Sequence, residues 1–330
     1  MRRVPAWLIF TMTALIVILA GSYLAREGDL LAERTGLGAR WVGAILVAGA
    51  TSLPEVVTGV SAIHQGDRDL AVGDLFGSSM ANMAILAVAD ILTRQSRLPR
   101  NAALTQGVIA ALAIGLTATA AIGILSADHP ALLRVGWAVL LVAVGYGLGM
   151  RMVHRRRERH ESSAEAPRPA QPRRLRGPII RFSIAAVAVL AAAPFLASSG
   201  SQLAAQWGIA SGFFGVLFLA LATSLPEATV VVAAMKAGSH DLAVGNLLGS
   251  NCFNMAVLAV LDVADGSGAL LGRVEPGIAL GALAAILLMG LVLLDMLNRP
   301  EGRGRTFETG PAVRLIVYVG GLLLTYRATH

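Results

Sequence analysis

Ten separate stretches of this chain, each about twenty residues long, are apolar enough to cross a bilayer. No other feature constrains the fold as tightly. A lipid interior offers no water to backbone N–H and C=O groups, so each stretch must satisfy its own backbone as an α-helix. Composition agrees: 55% of the 330 residues are hydrophobic and the mean hydropathy is +0.68. These are the values of an integral membrane protein rather than a soluble enzyme.

The stretches fall at residues 5–24, 41–64, 69–93, 102–125, 131–152, 179–198, 212–236, 241–264, 274–297 and 312–327. Arg2 and Arg3 before an apolar run also fit a cleaved signal peptide, but no small-x-small cleavage site closes residues 5–24, so we read them as a span. The net charge of +7 comes almost wholly from arginine. Eight arginines and four prolines crowd into residues 153–178. Such a run buries no core, and it reads as a disordered linker between halves 1–152 and 179–330. Placing this linker on the cytoplasmic side of the cell membrane collects most arginines inside, and it leaves both termini outside. The basic excess thus reports membrane orientation and points to no nucleic-acid partner. The lone Cys252 excludes an intramolecular disulfide, and no Cys/His cluster calls for a cofactor or a soft metal. No obligate protein partner is evident.

The chain also repeats itself. Thr51-Ser52-Leu53-Pro54-Glu55 returns as Thr223-Ser224-Leu225-Pro226-Glu227, an offset of 172. Residues 41–90 slide over 213–262 without a gap, and about half the positions are identical. Matched pairs include Gly73/Gly245, Gly77/Gly249, Ser78/Ser250, Asn82/Asn254 and Asp90/Asp262. Five spans, numbers two through six, lie between the two starting points, so the second copy enters the membrane from the other side. The expected fold is an all-α membrane protein of about ten helices in a 5+5 inverted repeat, the plan of transporters with a midplane site.

The repeated residues read as a cation site. A carboxylate at membrane depth costs at least ~2.5 kcal/mol, so Glu55 and Glu227 have no cheap structural excuse. Pro54 and Pro226 lack an N–H and clash with the carbonyl four residues earlier, which frees backbone oxygens near Ala48, Ala50, Ala220 and Ala222. Ser52 with Glu55, and Ser224 with Glu227, share a helix face; so do Ser78 with Asn82 and Ser250 with Asn254. The set is all oxygen, which suits calcium or sodium. Blander roles are expected elsewhere. Asp69 and Asp241 read as helix N-caps, and His64 and His240 as solvated loop residues. The Gly-xxx-Gly pairs read as packing seams. Thr51 and Thr223 also fit hydroxyls bonded back to their own helix. Asp74 faces Asn246 in the repeat and breaks its symmetry by one charge. A further ligand, a proton carrier and an outer-shell partner all fit it, the last best.

These residues resemble the sodium/calcium exchangers of the calcium/cation antiporter superfamily. Their paired alpha-repeats carry Gly-Thr-Ser-x-Pro-Glu and Gly-Asn-x-x-Gly-Ser-x-x-x-Asn. The resemblance implies ten helices and a diamond of cation sites. Glu55 and Glu227 would hold calcium centrally and share it with sodium. Ser52, Ser78, Ser224 and Ser250 would complete sodium sites, with Thr51, Thr223 and the carbonyls of Ala48 and Ala220. Asn82 and Asn254 would flank the centre. The implied function is a secondary antiporter, not an enzyme, exchanging calcium for sodium across the lipid bilayer. The chain departs from the pattern at Ala50, Ala222 and Asp74. It also carries Asn254 where some relatives have aspartate, and Ser78 and Ser250 where proton/calcium exchangers have glutamate. The rival reading keeps the site and changes the driver to protons; a cation sensor signalling through the linker is a third.

Overall fold

The computed structural model describes residues 5–35, 52–93, 100–126, 131–132, 135–161, 175–236, 238–297 and 310–330. Ten principal helices run through them. They are α1 Ala6–Thr35, α2 Leu53–His64, α3 Arg68–Thr93, α4 Arg100–Leu125, α5 Trp137–Glu161, α6 Arg176–Trp207, α7 Ser211–Lys236, α8 His240–Asp265, α9 Ala279–Leu297 and α10 Pro311–Ala328. Eight helices among the described residues are long and apolar enough to cross a membrane. The segment expected as the first half of the second span, 41–51, lies outside the described residues.

Burial is inverted relative to a soluble protein. Leu148, Ile184 and Ile316 lie strongly exposed on outer helices, while Glu55, Asp74, Asn82 and Glu227 are sealed inside. An apolar exterior of this extent is a lipid-facing one. Helices α3 and α8 are the most buried spans. Helix α3 packs against α2, α7, α9 and α10, and α8 against α2, α7, α4 and α5.

The two central helices run antiparallel. Arg68 at the start of α3 meets Asp265 at the end of α8 (2.5 Å), and Asn82 meets Asn251 midway (2.8 Å). With the alternation of the spans, this sets the second half upside down relative to the first, as an inverted repeat requires. Both ends of the described chain reach one face. Phe10 of α1 packs edge-on against Phe214 at the start of α7, and His330 lies 3.1 Å from the Gly208 carbonyl at the end of α6.

Close approach is concentrated where α3 crosses α7. A Cβ on Gly73 would strike the Gly212 carbonyl, and one on Gly77 would stand 2.5 Å from Val216 Cα. Only glycine lets these backbones meet, so this expected seam is real. At the counterpart glycines of α8, among the described residues, Gly245 packs on Gln106 and Gly249 has no such close neighbour. Gly77→Ala is expected to cost about 1–3 kcal/mol of overpacking. The cost would show as a lowered unfolding temperature in detergent; an unchanged transition would mean that α7 gives way freely.

A second close contact involves α1. Gly21 lies so near the two motif prolines that a Cβ there would sit 2.6 Å from Pro226 and 3.4 Å from Pro54. The helix packs chiefly along α6 and α7, and Arg181 of α6 grips the buried Glu27 carboxylate with two bonds, 2.8 and 3.0 Å long.

Several expectations shift at helix ends. Helix α5 begins only at Trp137, after a short antiparallel pair, Ala131–Leu132 with Val135–Gly136, and continues to Glu161. It therefore takes in residues assigned to the linker; α6 likewise starts at Arg176, and 162–174 lie outside the described residues. Among the described residues, neither Asp69 nor Asp241 makes a capping bond. Asp69 accepts the Glu275 amide (2.9 Å), and Asp241 accepts the Gln106 side chain (2.6 Å). The N-terminal capping bond of α3 comes from Asp67, whose Oδ1 accepts the Leu70 amide at 3.1 Å. His64 is exposed as expected, but His240 is half-buried and its Nδ1 lies 2.8 Å from Met235 Sδ. The matched pair Asp90 and Asp262 divides in use. Asp90 pairs with buried Arg314 of α10 (2.6 Å), whereas Asp262 accepts the backbone amides of Gly136 (2.7 Å) and Leu270 (2.8 Å).

Candidate cation site

Proline places the first carboxylate. Pro54 occupies the first turn of α2, where its missing N–H costs nothing, and Ser52 stands at the N-cap. The Ser52 hydroxyl makes no capping bond; it lies 3.2 Å from Ser250 Oγ of α8. One turn along, Glu55 points into the protein with no exposed surface. In the second copy the proline lies within the helix. The backbone adjusts just ahead of it through a π-helical stretch, Gly215–Leu219, before Thr223, Ser224 and Glu227 are presented. A π turn displaces carbonyls from the regular ladder and is common at functional sites.

Each half's first motif helix meets the other half's second. On one side Ser52 touches Ser250, which donates to Glu227 Oε1 at 3.3 Å. On the other, Ser78 Oγ lies 3.3 Å from Thr223 Oγ1, which donates to Asp74 Oδ1 at 3.0 Å. Asn82 donates to Asn251, and Asn251 donates to the Ser79 carbonyl (3.3 Å). Ser52, Glu55, Asp74, Ser78, Asn82, Thr223, Ser224, Glu227, Ser250 and Asn254 are all buried, as is Ala220. The structure thus gathers every expected site residue that it describes; Thr51 and Ala48 lie outside the described residues. The Thr223 hydroxyl also lies 3.2 Å from the Leu219 carbonyl and 3.4 Å from that of Ala220, so its one proton has a choice between its own helix and Asp74.

The electrostatics are those of a site built to be neutralised. Glu55, Glu227 and Asp74 lie close enough to repel one another, and among the described residues none of them has a basic partner. Among the described residues, neither oxygen of Glu55 has a hydrogen-bond partner, nor do Glu227 Oε2, Asp74 Oδ2, Asn82 Oδ1, Ser224 Oγ or either polar atom of Asn254. Each buried unsatisfied group costs about 1–3 kcal/mol, more if charged. A desolvated cation would satisfy the oxygens together. No group of three or more His, Cys, Asp or Glu close enough to share one metal ion occurs among the described residues. The donor set is carboxylate mixed with amide, hydroxyl and carbonyl oxygen, which suits hard cations.

Two residues escaped the sequence reading. Asn251 bridges α8 to α3, but its repeat mate is Ser79, so matching identical pairs passes over it. Thr58 is buried one turn beyond Glu55 with its hydroxyl unpaired, and its repeat mate is Val230.

Comparison with known proteins agrees with this geometry. The chain is 28% identical over 307 residues to the putative antiporter CaxA of Alkalimonas amylolytica, covering 89% of this chain and 93% of that one. It is 27% identical over 251 residues to the inner membrane protein YrbG of Escherichia coli (strain K12), covering 74% and 75%. Its fold matches the sodium-calcium exchanger NCX_Mj at a TM-score of 0.64 and 19% identity, over 96% of this chain and 98% of the other. It matches the H+/Ca2+ exchanger CAX at 0.66 and 13% identity, over 99% and 88%. The sodium/calcium exchanger protein family matches at residues 5–148 and 178–327, one segment in each half. This multi-span membrane protein, with its doubled motif and buried carboxylates, belongs to that family of exchangers.

Proposed function

We propose that the chain is a secondary antiporter of the cell membrane that exchanges calcium for sodium by alternating access to one midplane site. The observation that carries this reading is the pair Glu55 and Glu227: two buried, mutually repelling carboxylates that, among the described residues, have three of four oxygens unpaired and no basic neighbour. Two carboxylates balance one divalent ion. The surrounding hydroxyls and amides fit either calcium or several sodium ions, so occupancy by one excludes the other, and this competition links the two fluxes. The fold is common to sodium- and proton-driven exchangers, so it does not choose the driver. The residues favour sodium, because Ser78 and Ser250 stand where proton/calcium exchangers carry glutamate.

Reconstituted vesicles loaded with sodium and diluted into sodium-free medium containing radioactive calcium test the reading. Calcium uptake that follows the outward sodium gradient, and persists when pH is clamped, is the expected result. Uptake that follows only an outward proton gradient would transfer the mechanism to a proton-driven antiporter using the same site. No uptake under either gradient would remove the calcium assignment.

A further inference from the structure

An amide side chain beside a cation has a right and a wrong orientation, because its oxygen accepts and its nitrogen donates. For Asn82 the fold makes that choice. The chain of bonds starts at the backbone carbonyl of Ser79, which can only accept. Fully buried Asn251 of α8 therefore turns Nδ2 toward it, at 3.3 Å. This leaves Asn251 Oδ1 on the other side, where it accepts Asn82 Nδ2 at 2.8 Å. Flipping Asn251 would set its oxygen against the Ser79 carbonyl, and flipping Asn82 alone would set oxygen against oxygen. One orientation survives. In it Asn82 Oδ1, fully buried, is left without a partner among the described residues. The second half carries no such clamp. Asn254 is the repeat mate of Asn82, and neither of its polar atoms is bonded among the described residues. Ser79 stands in the first half where Asn251 stands in the second, and its hydroxyl turns back to the Leu75 carbonyl at 3.0 Å.

We propose that Asn251 is a positioning residue for transport: it fixes the Asn82 amide with its oxygen free for the cation before the ion arrives, and it does so in one half of the site only. The inference rests on reading Asn82 as a ligand of that cation. Asn251 acts through Asn82, since its own oxygen and nitrogen are already engaged. Without the clamp the Asn82 amide is free to present Nδ2, a donor that repels a cation, and binding has to turn it over first. A ligand set in advance avoids that cost. The two halves therefore meet the ion with unequal readiness: Asn82 is preset, whereas Asn254 is free to adapt.

Equilibrium dialysis of purified protein in detergent against radioactive calcium compares wild type, Asn251→Leu, Asn82→Ala and the double variant. Asn251→Leu keeps the bulk and removes both polar atoms, and it is expected to weaken calcium binding about tenfold. In the Asn82→Ala background, itself weakened, the same change is expected to make no further difference, because no amide remains to be oriented. A residue that merely held α8 to α3 would lower affinity equally in both backgrounds. Should Asn251→Leu fail to elute as a monodisperse species, Asn251→Ser, which gives α8 the residue of α3 at the matched position, replaces it in both. Asn251→Leu that binds calcium as wild type does, or that loses as much affinity beside Asn82→Ala as alone, would overturn the proposal and leave the ligand reading standing. Asn82→Ala that binds calcium as tightly as wild type would overturn the ligand reading, and the orienting role with it. Wild-type protein that binds no calcium would overturn the calcium reading, and the same four proteins dialysed against radioactive sodium would then decide Asn251.

Discussion

Glu55→Gln and Glu227→Gln should each weaken calcium binding by about 100-fold, with vesicle uptake at low calcium lost in proportion. Each substitution keeps the shape of a fully buried side chain and removes one of the two charges facing the ion. A contact to a charged group is worth about 1.5–3 kcal/mol, and ~2.7 kcal/mol is a factor of 100. The effect on the fold should have the opposite sign. In calcium-free protein these carboxylates repel each other, and three of their four oxygens are unpaired among the described residues, so a neutral amide relieves the empty site. The variants should therefore unfold at the same temperature as wild type or higher without calcium, and should lose the rise that calcium gives wild type through preferential binding to the folded state. Calorimetry in detergent reads both numbers. Variants that fold worse without calcium yet bind it as wild type does would make these carboxylates structural.

The largest expected loss of stability lies elsewhere, at Arg314→Met. Arg314 is 4% exposed, 2.6 Å from Asp90 Oδ2 and 3.9 Å from Asp295, and it ties outer helix α10 to central helix α3 and to α9. Removing the guanidinium strands the Asp90 carboxylate in a poorly hydrated place, and breaking such a pair from one side costs about 3–5 kcal/mol. Asp90→Asn combined with Arg314→Met should recover a large part of that loss, because it removes the stranded charge as well. Thermal unfolding of the single and double variants checks this. A double variant no more stable than Arg314→Met alone would show that the arginine acts through packing.

The sequence carried the architecture because membrane folding leaves few choices. An apolar run of twenty residues has to be a helix, and a gapless repeat across an odd number of spans has to be inverted. The site was legible for the same reason: Glu55 and Glu227 are expensive where they stand, and cost at membrane depth marks function. Helix ends were less legible. Hydropathy reports where lipid stops, not where a helix does, so α5 runs on through Arg155–Arg157 to Glu161, well past the apolar stretch. Capping was ambiguous for a local reason. Asp67 and Asp69 flank Arg68, and only the three-dimensional path shows that Asp67 turns to Leu70 while Asp69 reaches across to Glu275. Pairs far apart in the chain, such as Arg314 with Asp90, leave no spacing to read. Asn251 and Thr58 were passed over because the repeat has diverged at both positions.

That divergence has an energetic consequence. Were the two halves identical, the conformation open to one face would be the conformation open to the other with the halves exchanged, and the two would be degenerate. Here Asp90 binds a side chain of α10 while Asp262 binds backbone amides, and Asp74 answers Asn246. No operation that swaps the halves preserves those contacts. Under alternating access the unloaded carrier therefore rests with a bias toward one face, and that bias sets which side of the membrane presents its ligands first.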